Sequence, residues 1–82
     1  MTAIVWSQTN CAWCDRAKML LNSYGINYEE RLIGEQWTKK DLIEAVPTAR
    51  SVPQVFLNEE YIGGYQELRI KLKEKEHELC ER

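Results

Sequence analysis

The stretch AIVWSQTNCAWCDRAKMLLNSYG, residues 3–25, decides how this chain folds. Ala3 to Ser7 is a short apolar run rich in strand formers, bounded by the polar Gln8, Thr9 and Asn10, and it reads as a buried strand. From Ala12 to about Tyr24 the period lengthens. Cys14, Ala17, Leu21 and Tyr24 fall at i, i+3, i+7 and i+10, on one helical face. Gly25 stands just past the last turn, where a helix stops readily. A strand thus runs through a tight loop into a helix, and Cys11 and Cys14 sit at the junction.

Working outward, INYEERLI (residues 26–33) reads as a second strand, polar enough to lie at a sheet edge. Thr38 precedes a brief helix, KKDLIEAV, with Asp41 three residues on as a capping box and Pro47 ending it. QVFLN and EYIGG are two short strands joined around Asn58 and Glu59. The last helix starts after Gly64 and carries Tyr65, Leu68, Leu72 and Leu79 on one stripe. The expected order is β-α-β-α-β-β-α. A right-handed crossover makes the first two strands parallel, and the hairpin adds an antiparallel pair. The prediction is one α/β domain, residues 1–82, with a four-stranded mixed sheet and helices on both faces. Trp6 and Phe56 are core candidates by strand position. Trp37, in a polar loop, is left open between core and partner contact.

Composition sets outer bounds. A chain of 82 residues with 44% hydrophobic and 29% charged residues is an ordinary globular domain. Eleven basic against thirteen acidic residues leave a net charge of −2, which offers no basic face for nucleic acid. No stretch resembles a signal peptide or spans a bilayer, so a cytoplasmic, reducing setting and a monomer are expected. There a Cys-x-x-Cys is catalytic or metal-binding rather than a structural staple.

Structural zinc needs four ligands, and the remaining candidates, His77 and Cys80, lie at the far end of the last helix. No metal is therefore expected. Cys80 reads as a free surface thiol and His77 as part of a solvated face. The junction of strand loop and helix N-terminus favours redox chemistry instead. First-turn N–H groups lack intrahelical partners and, with the helix dipole, carry about half a positive charge. A sulfur at Cys11, the expected N-cap, lies in that field as a thiolate. Lys18 or Arg16 adds positive charge, and Asp15 opposes it. Residues three apart on a helix hold their Cβ atoms about 5–6 Å apart, against about 3.8 Å in a disulfide, so a small adjustment closes a Cys11–Cys14 bridge. Cys11 is then the exposed nucleophile and Cys14, on the core-facing stripe, the resolving thiol.

CAWC (residues 11–14), SVPQVFL (51–57) and YIGGYQEL (61–68), in this order, resemble the dithiol glutaredoxins, particularly the short bacterial and phage forms. The likeness covers essentially the whole chain and implies the glutaredoxin version of the thioredoxin fold. It implies a cis Pro53, with the Val52 backbone turned toward Cys11 to hold a substrate cysteine like an added strand. It implies glutathione as electron donor and substrate, with Gly64, Tyr65, Gln66 and Glu67 at its γ-glutamyl carboxylate, where fresh helix N–H groups form an anion site. Trp13 is expected to wall the substrate groove, beside Ser51.

Two departures from the family pattern stand out. Gln8 occupies a place often held by Lys or Arg, so Arg50, together with Lys40, is expected to pair with the glycyl carboxylate. Gln66 stands where Asp or a small hydroxyl residue is common, which weakens capture of the γ-glutamyl group. The activity implied is reduction of protein disulfides and glutathione mixed disulfides, with ribonucleotide reductase as a protein substrate. Two alternatives accompany it. One is a redoxin reduced by thioredoxin reductase. The other, prompted by Ala12 in place of the usual proline, is a carrier of a [2Fe–2S] cluster held by Cys11 and glutathione between two protomers.

Overall fold

A computed structural model describes residues 2–80 of the chain, with side chains as far as Glu74, so the side chains of His77, Leu79 and Cys80 lie outside the described residues. The elements follow the expected order: β1 (Thr2–Ser7), α1 (Ala12–Ser23), β2 (Asn27–Leu32), α2 (Lys39–Ala45), β3 (Gln54–Leu57), β4 (Glu60–Gly63) and α3 (Tyr65–Cys80). The strands form one sheet in the order β2-β1-β3-β4, with β1 parallel to β2 and the other pairings antiparallel. The polar second strand is an edge, as its composition suggests.

Alternation along β1 divides the core. Ala3 and Val5 face α1 and α3, where Ala17, Leu21, Val55, Leu57, Leu68 and Leu72 are buried with them. Trp6 faces the opposite way and packs with Leu42 and Val46 near α2, with Ile4 and Phe56 against the same cluster. Helices therefore cover both faces. Trp37 packs, partly buried, against this second cluster, edge-on to Trp6 at 5.3 Å between ring centroids.

The element ends follow local chemistry. Helix α1 closes in a Schellman motif: Ile26 N–H donates to Leu21 O at 3.0 Å and Gly25 N–H to Asn22 O at 2.9 Å. Gly25 holds a φ of 71°, which a side chain would resist. Ile26 consequently belongs to this turn and packs in the core, so β2 starts one residue later than its hydropathy suggests. Thr38 caps α2 in a reciprocal box with Asp41. The hairpin turns through Asn58 and Glu59, both at positive φ (52° and 70°), the requirement of a type I′ turn. Opposite β3 the pairing passes from Tyr61 to Gly63 and leaves Ile62 as a bulge just before α3.

Candidate active site

Cys11 is the N-cap of α1, with extended backbone (φ −117°, ψ 101°), and Cys14 is the third residue of the helix. The preceding Asn10 adopts a left-handed φ of 58°, a conformation Asn tolerates better than most residues, and so turns the chain into the helix. Cys11 and Cys14 are joined in a disulfide with their Cα atoms 5.3 Å apart. The Cys14 N–H donates to Cys11 Sγ at 3.1 Å. Burial separates the two sulfurs' surroundings: Cys14 is 1% exposed, whereas Cys11 is only partly covered.

The Val52–Pro53 peptide is cis, as the family resemblance implied. It brings the Val52 carbonyl oxygen to 3.9 Å from Cys11 Sγ. Val52 lines the groove beside Cys11, and among the described residues neither its N–H nor its carbonyl has a backbone partner.

A groove of about 580 Å³ opens beside this pair of segments. Of the residues singled out from sequence, Gln8, Cys11, Trp13, Arg50, Ser51 and Val52 line it. Asn10, Ala12, Ile33, Leu42, Ile43 and Ala49 complete the wall together with Lys39. Lys40 does not line the groove; its neighbour Lys39 does. The signal was present in the sequence. Leu42 is the buried residue of α2, and Lys39, three positions earlier, shares its face whereas Lys40 does not. Arg50 and Lys39 are exposed and have no acidic partner among the described residues.

Gly64, Tyr65, Gln66 and Glu67 stand outside this groove, at the start of α3. They are linked to it through Trp13, whose half-exposed ring lies 5.5 Å from that of Tyr65, and through Pro53, close to Gly64. The Arg16 guanidinium lies over the other partner of this pair, 4.8 Å from the Trp13 centroid. Glu67 acts on its own helix: its carboxylate accepts from Gly64 N–H at 3.0 Å. Gly63 makes room for this cap, since a Cβ there would meet the Glu67 side chain at 3.0 Å. Gly63 also holds a φ of 127°, so the position requires glycine twice over. Among the described residues the N–H groups of Tyr65, Gln66 and Glu67 are left without a hydrogen-bond partner at this helix end.

Sequence reasoning missed two supports. Gln54, 7% exposed, donates from its amide to the Ser51 carbonyl at 2.9 Å and accepts from Tyr61 Oη–H at 2.7 Å. Ser7, fully buried at the end of β1, donates to Glu30 at 2.6 Å, and Lys18 reaches the same carboxylate oxygen at 2.7 Å. The Lys18 hydrogen bond, then the Ser7 hydroxyl, holds the Glu30 carboxyl below its usual range. The same hydrogen bond, donated by Lys18 to Glu30, raises the Lys18 ammonium above its usual range. Among the described residues no three His, Cys, Asp or Glu side chains converge as a metal site, and no helix is long and apolar enough to cross a membrane.

A cysteine pair at a helix N-terminus, facing a cis-proline on a four-stranded sheet flanked by helices, defines a thiol–disulfide oxidoreductase of the thioredoxin fold. The chain belongs to the glutaredoxin family, whose model matches residues 3–62, and it is a dithiol member. It is 31% identical over 64 residues to glutaredoxin 3 of Escherichia coli, an alignment spanning 78% of this chain and 77% of that protein. It is 34% identical over 64 residues to the hybrid peroxiredoxin hyPrx5 of Haemophilus influenzae, but spans only 26% of that longer relative. A buckwheat glutaredoxin–glutathione complex superposes with a TM-score of 0.76 at 26% identity, covering 89% of this chain and 69% of that one.

Proposed function

We propose that this chain is a glutathione-dependent oxidoreductase in which Cys11 is the nucleophile and Cys14 the resolving thiol. The observation that carries the reading is the different setting of the two bridged sulfurs: one at a helix end under a donated N–H, the other buried. In the reduced protein the helix dipole and the Cys14 N–H stabilise negative charge on Cys11 Sγ. That thiolate attacks the substrate disulfide, forming a mixed disulfide, and the substrate's other sulfur leaves as a thiolate and takes up a proton. Cys14 then gives up its proton and attacks Cys11 Sγ; the second substrate thiol leaves and the Cys11–Cys14 bridge forms. Two electrons have passed to the substrate. Two molecules of glutathione return them, leaving oxidised glutathione. For a glutathione mixed disulfide, Cys11 alone suffices, with a second glutathione releasing it.

Several features support glutathione as the ligand. Arg50 and Lys39 offer unpaired positive charge at the groove for a glycyl carboxylate, with Gln8 as a neutral donor. The Val52 carbonyl lies 3.9 Å from Cys11 Sγ, and in this reading the Val52 N–H and C=O pair with the central cysteinyl unit as an added strand. The open Tyr65 and Gln66 N–H groups suit the γ-glutamyl carboxylate. Glu67, already engaged with Gly64, contributes by fixing that helix end rather than by touching this anion. The buckwheat complex with glutathione supports the same ligand by likeness. Family resemblance alone supports ribonucleotide reductase as a protein substrate.

The test is a coupled assay following NADPH consumption with a glutathionylated peptide. Activity is expected with glutathione plus glutathione reductase, lost in Cys11→Ser, and kept on the glutathionylated peptide in Cys14→Ser while reduction of protein disulfides disappears. Turnover supported by thioredoxin reductase but not by glutathione would assign the chain to redoxins of the other kind. Full activity in Cys11→Ser would refute the mechanism.

A further inference from the structure

We infer that Gln54, oriented by Tyr61, is the positioning residue that sets where Val52 meets a substrate. The inference rests on the reading of Val52 as a substrate-pairing residue. The segment Ser51–Pro53 lies outside the sheet ladder, which begins at Gln54 opposite Trp6. A hydrogen bond from Gln54 Nε2 to the Ser51 carbonyl, at 2.9 Å, ties this segment to the sheet, beside the longer 3.9 Å contact of Cys11 Sγ with the Val52 carbonyl. That carbonyl belongs to the peptide whose N–H is Val52's own. A hydrogen bond to its oxygen therefore fixes the direction in which the Val52 N–H points.

The Gln54 amide has no freedom to turn over. Its oxygen accepts from the Tyr61 hydroxyl at 2.7 Å, which leaves the NH₂ facing Ser51. Tyr61 is in turn held against Phe56, ring centroids 5.4 Å apart, and stands across the β3–β4 ladder from it. The relay runs from a sheet position through a buried amide to a peptide plane beside Cys11. An apolar side chain of like size at 54 would fill the space and leave that plane without a fixed direction. A hydrogen bond of this kind corresponds to about fivefold in an equilibrium.

The experiment uses Gln54→Met and Tyr61→Phe, the second preserving the ring and its packing while removing only the hydroxyl. In ¹⁵N-labelled protein the Val52 amide resonance is expected to shift and its hydrogen exchange to quicken in both variants, with the Cys14 amide unmoved. With the glutathionylated peptide, KM is expected to rise about fivefold in Gln54→Met and about twofold in Tyr61→Phe, with kcat unchanged. A folded Tyr61→Phe protein whose Val52 amide stays in place overturns the inference, as does a parallel loss of kcat and KM effects in either variant. Should the wild-type protein fail to turn over this peptide, the glutathione reading falls, and the Val52 amide still decides the positioning role.

Discussion

Position 39 shows what one residue's placement means for recognition. Two adjacent lysines open α2, and the helix turns only one of them into the groove. With Arg50 it forms a pair of exposed cations lacking acidic neighbours among the described residues, so neither charge is neutralised before a ligand arrives. Exposed charges act weakly through solvent, and each carboxylate contact here is worth about 0.5–1 kcal/mol, roughly twofold to fivefold in affinity. Arg50→Ala is accordingly expected to raise KM for glutathione about fivefold and Lys39→Ala about twofold, with kcat preserved. Lys40→Ala, its side chain outside the groove, should leave KM alone. Steady-state kinetics at two ionic strengths check this. The Arg50 effect should shrink in high salt, and an equal response from Lys40→Ala would remove Lys39 from the site. Gln8, neutral and groove-lining, adds a donor but no field.

Between elements, the network of Ser7, Glu30 and Lys18 ties the active-site helix to the sheet. It joins the end of β1, the middle of β2 and the second turn of α1. Glu30 is held below its usual value, so its contribution is full above the unfolded value near 4.5 and disappears as pH falls through the lower folded value. Lys18 is raised above 10.5, so its share persists below that pH and is lost as pH climbs through the higher folded value. The pair is partly exposed, with 21% and 33% side-chain accessibility, which limits its worth to about 0.5–1 kcal/mol. Glu30→Gln should lose that amount at pH 7, measured as a lower urea midpoint, and converge with wild type only as pH falls through the lowered folded value. Glu30→Ala should cost about 1 kcal/mol more, because the buried Ser7 hydroxyl then has no acceptor. A Glu30→Gln curve parallel to wild type at every pH would show that the charge contributes nothing. This network was not legible in the sequence, because it depends on the β1–β2 register. The Thr38–Asp41 cap, the Gly25 stop and the Cys11 N-cap were legible, since each is closed by residues within five positions of one another.

At the scale of the whole molecule, the same distinction explains which parts of the site could be anticipated. Hydrophobic period and turn chemistry are local, and they give the element order, the parallel first pair and the antiparallel hairpin, but not the strand order β2-β1-β3-β4. The cysteine pair is local too. The groove is not: its walls come from segments around residues 8–13, 33, 39–43 and 49–52, brought together only by the fold, which is why Ile33 and Ile43 went unrecognised. That assembly has an energetic consequence, because the two sheet faces are unequal. On one face two long helices bury Ala17, Leu21, Leu68 and Leu72; on the other the seven-residue α2 is held by Leu42 and Val46 against Trp6. Burying a leucine contributes about 2 kcal/mol, and α2 is too short to persist without such contacts. The groove wall carrying Lys39, Leu42 and Ile43 thus belongs to the weaker side of the molecule, where local opening needs least energy. Native-state hydrogen exchange should show α2 amides opening at lower free energy than those of α1, β1 and β3. Glutathione should raise protection in α2 more than in α1. Leu42→Ala should deepen the contrast, speeding α2 exchange and raising KM for glutathione, while Leu68→Ala lowers global stability by about 2–5 kcal/mol. Equal protection across both faces would mean that the groove wall is as rigid as the sheet, and that glutathione docks into a surface needing no consolidation.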